Sequence, residues 1–194
     1  MAALKQWACI CCVVLLAACA HPISMAPDMA KMGSASAAAR PGTVGLYISA
    51  EDRSRQVTTP GGGGDKVSYY PYRDLESAIY KVLGTLYERV VVVQAPGDVD
   101  ALTKNGVSVV ARPQIITQSS SQSALTWPPT FFQVQITCVV TDIAGAKIAE
   151  TFVTGTGRAE FDEFKSDFSL AAKRASEDAL RQTQAALSAE KALQ

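Results

Sequence analysis

The chain has 194 residues, with 18 Lys and Arg against 18 Asp and Glu, one His and five Cys. This length predicts one domain, at most with a tail. The formal net charge of zero argues against a dedicated nucleic-acid-binding protein, which usually shows a basic excess or stripe. A domain of this size can build a core without disulfides or a structural metal, so the positions of Cys and His are more informative than their number.

The first 18 residues are typical of a targeting segment. Their only charged side chain is Lys5, and an apolar run of about ten residues, Trp7 to Leu16, follows it. This run has the length of a signal-peptide core and is shorter than the roughly 20 residues that span a bilayer. It ends in Leu16-Ala17-Ala18-Cys19, which resembles the lipobox of bacterial lipoproteins. The alternative is an ordinary signal peptide that is cut nearby, with Cys19 as a bystander.

The lipobox resemblance implies signal cleavage after Ala18 and acyl chains, palmitate among them, on Cys19. Such chains anchor a protein stably, because each buried methylene contributes about 0.8 kcal/mol and two chains suffice. Lipoproteins kept in the inner membrane typically have Asp after the lipid Cys, whereas this chain has Ala20. The resemblance therefore favours the outer membrane, with the protein facing the periplasm. We expect no cofactor apart from this covalent lipid.

The remaining Cys and His residues do not form a metal motif. Cys9, Cys11 and Cys12 would leave with the signal peptide. Cys138 is then the one free thiol, and we expect it to be a small core side chain, with intermolecular pairing as the alternative. His21 lies two residues from the lipid, a poor place for a catalytic base. We expect no metal site.

Residues 19–42 are rich in Ala, Ser, Met and Pro and predict a lipidated flexible tether, followed by a single periplasmic domain over 43–194. The polar stretch 51–66 contains four consecutive Gly residues and predicts a flexible loop. It is not a phosphate-binding loop, because the glycines are followed by Asp65 rather than by a Gly-Lys-Ser/Thr end.

The first half of the domain predicts strands and one long helix. Residues 43–50 alternate as a strand does. Asp74 is a candidate N-cap, and apolar residues recur after it at the spacing of one helical face as far as Tyr87. Residues 89–94 contain four consecutive Val and predict a buried strand. A connection follows, and 107–117 predicts a strand in which Pro113 marks an edge or a bulge.

The second half predicts a hairpin and a second long helix. Residues 130–141 and 146–160 pair across a turn, and Gly155-Thr156-Gly157 predicts a strand bulge. The helix begins at Ser166 or Asp167, and its stripe of small side chains would let it lie close to a sheet. Together the elements predict an α+β fold with two layers: a mixed or antiparallel sheet of about four to five strands, and two helices on one face. The other face stays half-polar, toward solvent or a partner.

No catalytic signature stands out. The predicted domain over 43–194 has no His and the chain has no G-x-S-x-G elbow, so we expect no enzyme, with an unrecognised hydrolase as the remote alternative. Four acidic residues precede the last helix but lack the spacing of a Ca²⁺ loop. They predict a solvated helix entry, where negative charge is favourable: Glu160, Asp162, Glu163 and Asp167.

Two aromatic segments are the candidate partner contacts. Trp127 and Phe131 stand at the entry of the 130–141 strand, and Tyr70 and Tyr72 precede the first helix. Rigid aromatic side chains on loops are typical anchors of an interface. The alternative is that they cap the open ends of the core.

The lipobox, Arg73-Asp74-Leu75 at the first helix, the 133–141 strand and the 155–161 segment before an Ala-rich helix resemble the YajG-type bacterial lipoproteins, over residues 43–187. In order of elements only, the chain is also similar to the lipopolysaccharide-assembly lipoproteins of the LptE type. That family has Gly-Trp after the lipid Cys, where this chain has Ala20 and His21. The YajG-type resemblance implies a small periplasmic α/β domain without enzymatic activity.

We therefore expect a non-enzymatic, outer-membrane-anchored lipoprotein that scaffolds or assists an envelope assembly or transport complex through protein contacts. The alternative is a binding module for a lipid, lipopolysaccharide or glycan held between the helices and the sheet. The membrane and an envelope protein are the expected partners, and nucleic acid is not. The identity of that protein and the oligomeric state do not follow from the sequence.

Overall fold

The structure, a computed structural model, describes residues 20–31 and 39–193. Within them lie eight strands, five helices and a short 3₁₀ turn at Lys191–Leu193. The strands are β1 Ala20–Pro22, β2 Arg40–Tyr47, β3 Val57–Pro60, β4 Lys66–Tyr69, β5 Tyr87–Val93, β6 Val107–Ser120, β7 Phe131–Asp142 and β8 Lys147–Arg158. The helices are α1 Ala50–Ser54, α2 Pro71–Leu86, α3 Val99–Lys104, α4 Phe161–Phe164 and α5 Leu170–Ala189.

The larger sheet has five strands in the order β5-β2-β6-β7-β8. Strand β2 runs parallel to β5 and β6, whereas β6, β7 and β8 are antiparallel neighbours. The sheet is therefore mixed, and the predicted α+β fold is confirmed. The connection from β2 to its parallel neighbour β5 contains α2, and the connection from β5 to β6, on the other side of β2, contains α3. The tight turn after β7 makes the antiparallel hairpin.

Helices α2 and α5 cover one face of this sheet and enclose the main core. The predicted apolar stripe of α2 is buried throughout: Leu75, Ala78, Ile79, Val82, Leu83 and Leu86. The helix begins one turn earlier than predicted, at Pro71, where a missing N–H costs no helical hydrogen bond. Asp74 is thus inside the first turn rather than at the N-cap, and its Oδ2 accepts the Met25 N–H at 3.0 Å.

Helix α5 lies against β8 at backbone distance. A Cβ at Gly155 would overlap the backbone of Ala179 and Ala175, and one at Gly157 would overlap the backbone of Ala171. The pairing of β7 with β8 continues past both glycines without a register shift, so the predicted bulge at 155–157 is wrong. These glycines instead remove side chains where the small-residue face of α5 meets the sheet, the close approach that the Ala stripe predicted.

The opposite face of the sheet has two parts. Over β5, β2 and the start of β6 it is covered by α3, through a small apolar cluster of Val93, Leu102, Val107 and Val110. The prediction of helices on one face only is therefore incomplete. Over β6, β7 and β8 this face is open, and we call this part the open face. It carries the exposed side chains of Ile116 and Phe152.

Pro113 is not on an edge strand, because β6 lies in the middle of the sheet. Pairing with β2, however, ends at Ala111, so β6 has a neighbour on one side only from there on. The N–H of Ile115, two residues further and pointing the same way, donates to Tyr72 Oη rather than to a strand. A proline is tolerated at 113 because no strand requires an N–H there.

A second sheet of three strands, in the order β1-β4-β3, corrects the prediction of a flexible loop over 51–66. This stretch forms α1, β3 and the start of β4, and the glycines form the turn of the hairpin. Gly63 and Gly64 have φ of +63° and +85°, values that non-glycine residues rarely adopt. Strands β3 and β4 have four residues each, too few for an alternation of apolar and polar residues that would reveal them in the sequence.

Residues 20–31 are packed on the domain and so correct the tether prediction for this part of 19–42. Strand β1 runs parallel to β4, and the Ile23 N–H donates to Ser68 O at 2.9 Å. The Met25 side chain is fully buried in the main core. The composition of this segment is that of a coil, which is why the sequence predicted a tether. Two apolar side chains, Ile23 and Met25, nevertheless attach the segment to the main core.

Candidate functional site

The loop 121–129 and the glycine turn meet at one end of the molecule. The Gly62 N–H donates to Trp127 O at 2.8 Å, and the Gly63 N–H donates to Ser123 O at 3.2 Å. A Cβ at Gly62 would overlap Thr126 O, so this contact requires glycine. The turn predicted as a flexible loop thus has a structural role, because it holds the loop that carries Trp127.

Trp127 joins three separate segments of the chain. Its ring stacks on His21 with centroids 4.2 Å apart and an interplanar angle of 19°. Phe168 lies on it with centroids 4.9 Å apart. The indole is half-buried and packs against the main core, so Trp127 combines the two roles that the sequence left open, a core cap and a surface side chain.

Large apolar side chains remain exposed around Trp127. Leu125, at the tip of the loop, is 95% exposed, and Phe168 is exposed beside the indole. Phe161, at the start of α4, is exposed and lines the same shallow cleft as Ser123 and Thr126. We call the set His21, Leu125, Trp127, Phe161 and Phe168 the aromatic end. The predictions had not included Phe161 or Phe168, although the spacing Phe-x-x-Phe-x-x-x-Phe over 161–168 is a visible signal.

The other candidate contacts lie in different surroundings. Phe131, at the start of β7 and close to the aromatic end, is half-buried under the guanidinium of Arg158, 5.0 Å from its ring. Tyr70 is half-buried with the Arg73 guanidinium 3.6 Å above its ring. Tyr72 is buried, and its hydroxyl accepts the Ile115 N–H at 3.1 Å. The structure therefore corrects Tyr72 from a partner contact to a core residue, because its hydroxyl and ring are both used inside the domain.

Charged side chains around α4 pair with one another. Glu163 binds Arg174, with Oε1 2.8 Å from the guanidinium. Its other oxygen accepts the Glu160 N–H at 3.0 Å, and the two glutamates form a capping box. These hydrogen bonds, the one from Arg174 above all, lower the pKa of Glu163 to about 2. Among the described residues no cluster of three metal-ligating side chains occurs.

Cys138 lies in the core on the buried face of β7. Burial raises the pKa of its thiol to about 12, so the side chain is a neutral thiol at physiological pH. The sequence predicted such a small core residue. The thiol has no access to a partner while the domain is folded.

The open face is a surface of three long strands that no other described element covers. Ile116, 60% exposed, lies on β6, and Phe152, 64% exposed, lies on β8, the two neighbours of β7. Between them, Gln135 and Thr137 of β7 lie opposite Ile116 and Phe152 respectively. This face therefore combines large apolar groups with amide and hydroxyl groups on a rigid base.

The space between α5 and the sheet offers no room for a ligand. Gly155 and Gly157 bring the strand into backbone contact with Ala171, Ala175 and Ala179, and all three Ala side chains are buried. The alternative of a ligand held between this helix and the sheet therefore has no support there.

Ala18 and Cys19, the predicted cleavage and lipidation residues, lie outside the described residues, which begin at Ala20. No helix in the described parts of the chain has the length and apolar character needed to cross a membrane.

Comparison with known proteins gives weak structural likenesses. A minor lipoprotein from Acinetobacter baumannii is 12% identical, with a TM-score of 0.44, over 76% of this chain and 93% of that one. The protein XCC0632 from Xanthomonas campestris is 10% identical, with a TM-score of 0.44, over 87% and 89%. PelC from Paraburkholderia phytofirmans, a dodecamer, is 18% identical, with a TM-score of 0.40, over 75% and 93%. Likenesses of this size carry no argument about this chain.

No family model matches the chain, and no curated protein does. Membership of the YajG-type family therefore stays a prediction.

Proposed function

We propose that this protein is a lipoprotein of the bacterial outer membrane, anchored by acyl chains on Cys19, whose periplasmic domain binds a protein of an envelope complex without catalysis. The signal-like segment and the lipobox resemblance support the anchor. The observation that carries the binding role is the open face, an uncovered part of the sheet with two large exposed apolar side chains.

The open face has the composition of a protein contact. Interfaces combine apolar anchors with hydrogen-bonding groups, and aromatic side chains are enriched among the anchors. Phe152 and Ile116 supply the apolar part, while Gln135 and Thr137 supply amide and hydroxyl groups between them. Because strands β6 to β8 have 12 to 14 residues and pair along their length, these groups are held in place before a partner arrives.

The binding role is tested by photo-crosslinking in living cells. A photoreactive amino acid at position 152 should capture an envelope protein. The matched control is position 99, an exposed apolar residue of α3, the helix that covers the neighbouring part of the same sheet face. Capture from position 99 with none from position 152 would contradict the proposed use of this face.

The anchor has its own test. The intact mass of the membrane-extracted protein should equal that of a chain beginning at residue 19 and carrying acyl groups. The Cys19→Ser variant should leave the membrane fraction on washing. An unmodified Cys19, or cleavage at another residue, would overturn the proposed anchor and localisation.

A further inference from the structure

We infer that the aromatic end is a lipid-contacting surface, which rests on the bilayer beside the acyl chains and fixes the orientation of the domain. The inference rests on the proposed anchor at Cys19, and it adds to that anchor a named surface of the folded domain. The partner is the membrane surface itself. A protein partner at the same end is an outcome that the experiment separates.

The first step is the position of the residue next to the anchor. Ala20 is part of β1 and pairs with Lys66 of β4. In the proposed lipoprotein, Cys19 is bonded directly to Ala20, so the anchor is one residue away from a strand of the folded domain. The anchor and the domain surface are therefore close along the chain, without a tether of many residues between Cys19 and β1.

The second step is what else lies at this surface. His21, one residue after Ala20, stacks on Trp127, and the ring of Phe168 packs against the same indole. Lys66 follows the glycine turn, whose backbone binds the 121–129 loop. Through these contacts, the exposed side chains of Leu125 and Phe168 belong to the same end of the domain as Ala20, the residue bonded to the proposed lipid site.

The third step is the charge of this end. Lys165 pairs with Asp162, Lys173 with Asp167, and Arg174 with Glu163, at distances from 2.8 to 3.1 Å. His21 Nε2 lies 3.6 Å from Asp65. Because most of these charges are paired locally, with Lys66 and Arg158 as the exceptions, the surface is not a cluster of about four or more free cations of the kind that attracts anionic lipids. Contact with the bilayer would come from apolar and aromatic side chains, which favour the membrane interface.

The consequence is a defined orientation. The row of the sheet nearest the aromatic end contains Phe131 and its strand partners Ser120 and Arg158. Strand β7 begins in this row and runs away from the aromatic end, whereas the antiparallel β6 and β8 end in it, so the rest of the three strands lies further from the aromatic end. With the aromatic end on the bilayer, the open face would stand in the periplasm, where an envelope protein could reach Phe152 and Ile116.

The experiment uses the acylated protein extracted from membranes and reconstituted into phosphatidylcholine vesicles. The sequence has two Trp residues, Trp7 and Trp127, and signal cleavage would remove the first. Fluorescence of the mature protein then reports on Trp127 alone. We expect a loss of emission when the vesicles contain phosphatidylcholine brominated on its acyl chains, relative to vesicles without bromine.

Two variants with exposed side chains make the test specific. Leu125→Ser should reduce the loss of emission, because it removes the most exposed apolar side chain of the aromatic end. The matched control Phe152→Ser removes an exposed apolar side chain from the open face and should leave the loss unchanged. Both side chains are mainly in solvent, so neither change threatens the fold.

The outcomes separate the inference from the anchor. Unmodified Cys19 would remove the proposed anchor and, with it, the inference. Acylated Cys19 with undiminished Trp127 emission in brominated vesicles would overturn the inference and leave the anchor intact. If Leu125→Ser instead releases a co-purifying protein without changing the quenching, the aromatic end is a protein contact and the inference is wrong. Quenching that appears only with anionic lipids would contradict an apolar contact.

Discussion

At the scale of single residues, Tyr72 shows how a side chain with the chemistry of an interface becomes part of a core. Tyr70, two residues earlier, is the N-cap of α2 and is half-buried, whereas Tyr72 lies in the first turn and is buried. The Tyr72 hydroxyl accepts a backbone N–H of β6 beyond the end of its pairing with β2. The hydroxyl therefore supplies a hydrogen-bond acceptor for the Ile115 N–H at a point where β2 no longer pairs with β6.

Tyr72→Phe should lower the free energy of unfolding by about 1–2 kcal/mol, because the Ile115 N–H is left without a partner in a buried place. Tyr70→Phe is the control and should be close to neutral, since its ring stays beneath Arg73. Urea unfolding followed by circular dichroism measures both. Equal effects of the two changes would argue against the hydrogen bond as the cause.

Glu163 predicts an acid-sensitive contribution to stability. Its pKa falls from 4.5 to about 2 in the folded protein, mainly through the hydrogen bond from Arg174. A carboxyl group whose folded pKa is lowered stabilises the fold fully above its unfolded pKa and loses this effect as the pH falls through the folded value. The contribution should therefore disappear between about pH 4.5 and about pH 2.

The measurement compares the thermal unfolding midpoint of the wild type with that of Glu163→Gln across this pH range. The difference should be largest above pH 4.5 and should close toward pH 2. Asp162→Asn, at an exposed ion pair with Lys165, is the control and should show little difference. A difference that grows as the pH falls would have the wrong sign.

At the scale of elements, the long ones were readable from their pattern and the short ones were not. Helix α2 has four turns, enough for one apolar face to repeat, and β7 has twelve residues, enough for a clear alternation. The β3–β4 hairpin has four residues on each side, and its turn residues are also typical of a disordered loop. Its structure depends on contacts with the 121–129 loop, which no local pattern encodes.

The contact of α5 with β8 leads to opposite predictions for two glycines. Gly155→Ala should destabilise the domain by about 1–3 kcal/mol, because the new methyl group overlaps the backbone of Ala179 and forces helix and sheet apart. Gly84→Ala, inside α2, should stabilise it by about 0.5–1 kcal/mol, since the nearest atom is at 3.8 Å and alanine favours a helix.

Both variants can be compared with the wild type by their unfolding midpoints in urea. The opposite signs are the critical result, because the substitution is chemically the same at both positions. A neutral Gly155→Ala would show that α5 can shift away from the sheet without cost.

At the scale of the whole molecule, the attachment of residues 20–31 decides how far the domain stands from its anchor. Met25→Ala should lower the free energy of unfolding by about 2–5 kcal/mol, since it removes a fully buried side chain from the core. It should also make the 20–31 segment sensitive to protease. Met29→Ala, at an exposed methionine four residues later, is the control and should change neither property.

Limited proteolysis with identification of the first cleavage site distinguishes a released segment from global unfolding. Cleavage within 20–31 ahead of the rest of the chain is the expected pattern for Met25→Ala. The same protection as in the wild type would mean that β1 alone is sufficient to hold the segment.

The sequence alone determined the α+β class, the long helices, the β7–β8 hairpin and the buried position of Cys138, because each depends on a periodicity within one segment. It also predicted the targeting segment and the lipid site, which the described residues do not include.

Only the tertiary structure decided the features that depend on distant segments. These are the burial of Tyr72 by β6, the role of Gly155 and Gly157 against α5, and the attachment of residues 20–31 to β4 and the core. The aromatic end likewise combines side chains from three parts of the chain around Trp127. A local pattern shows which face of an element is apolar, but the long-range packing of the chain decides what covers that face.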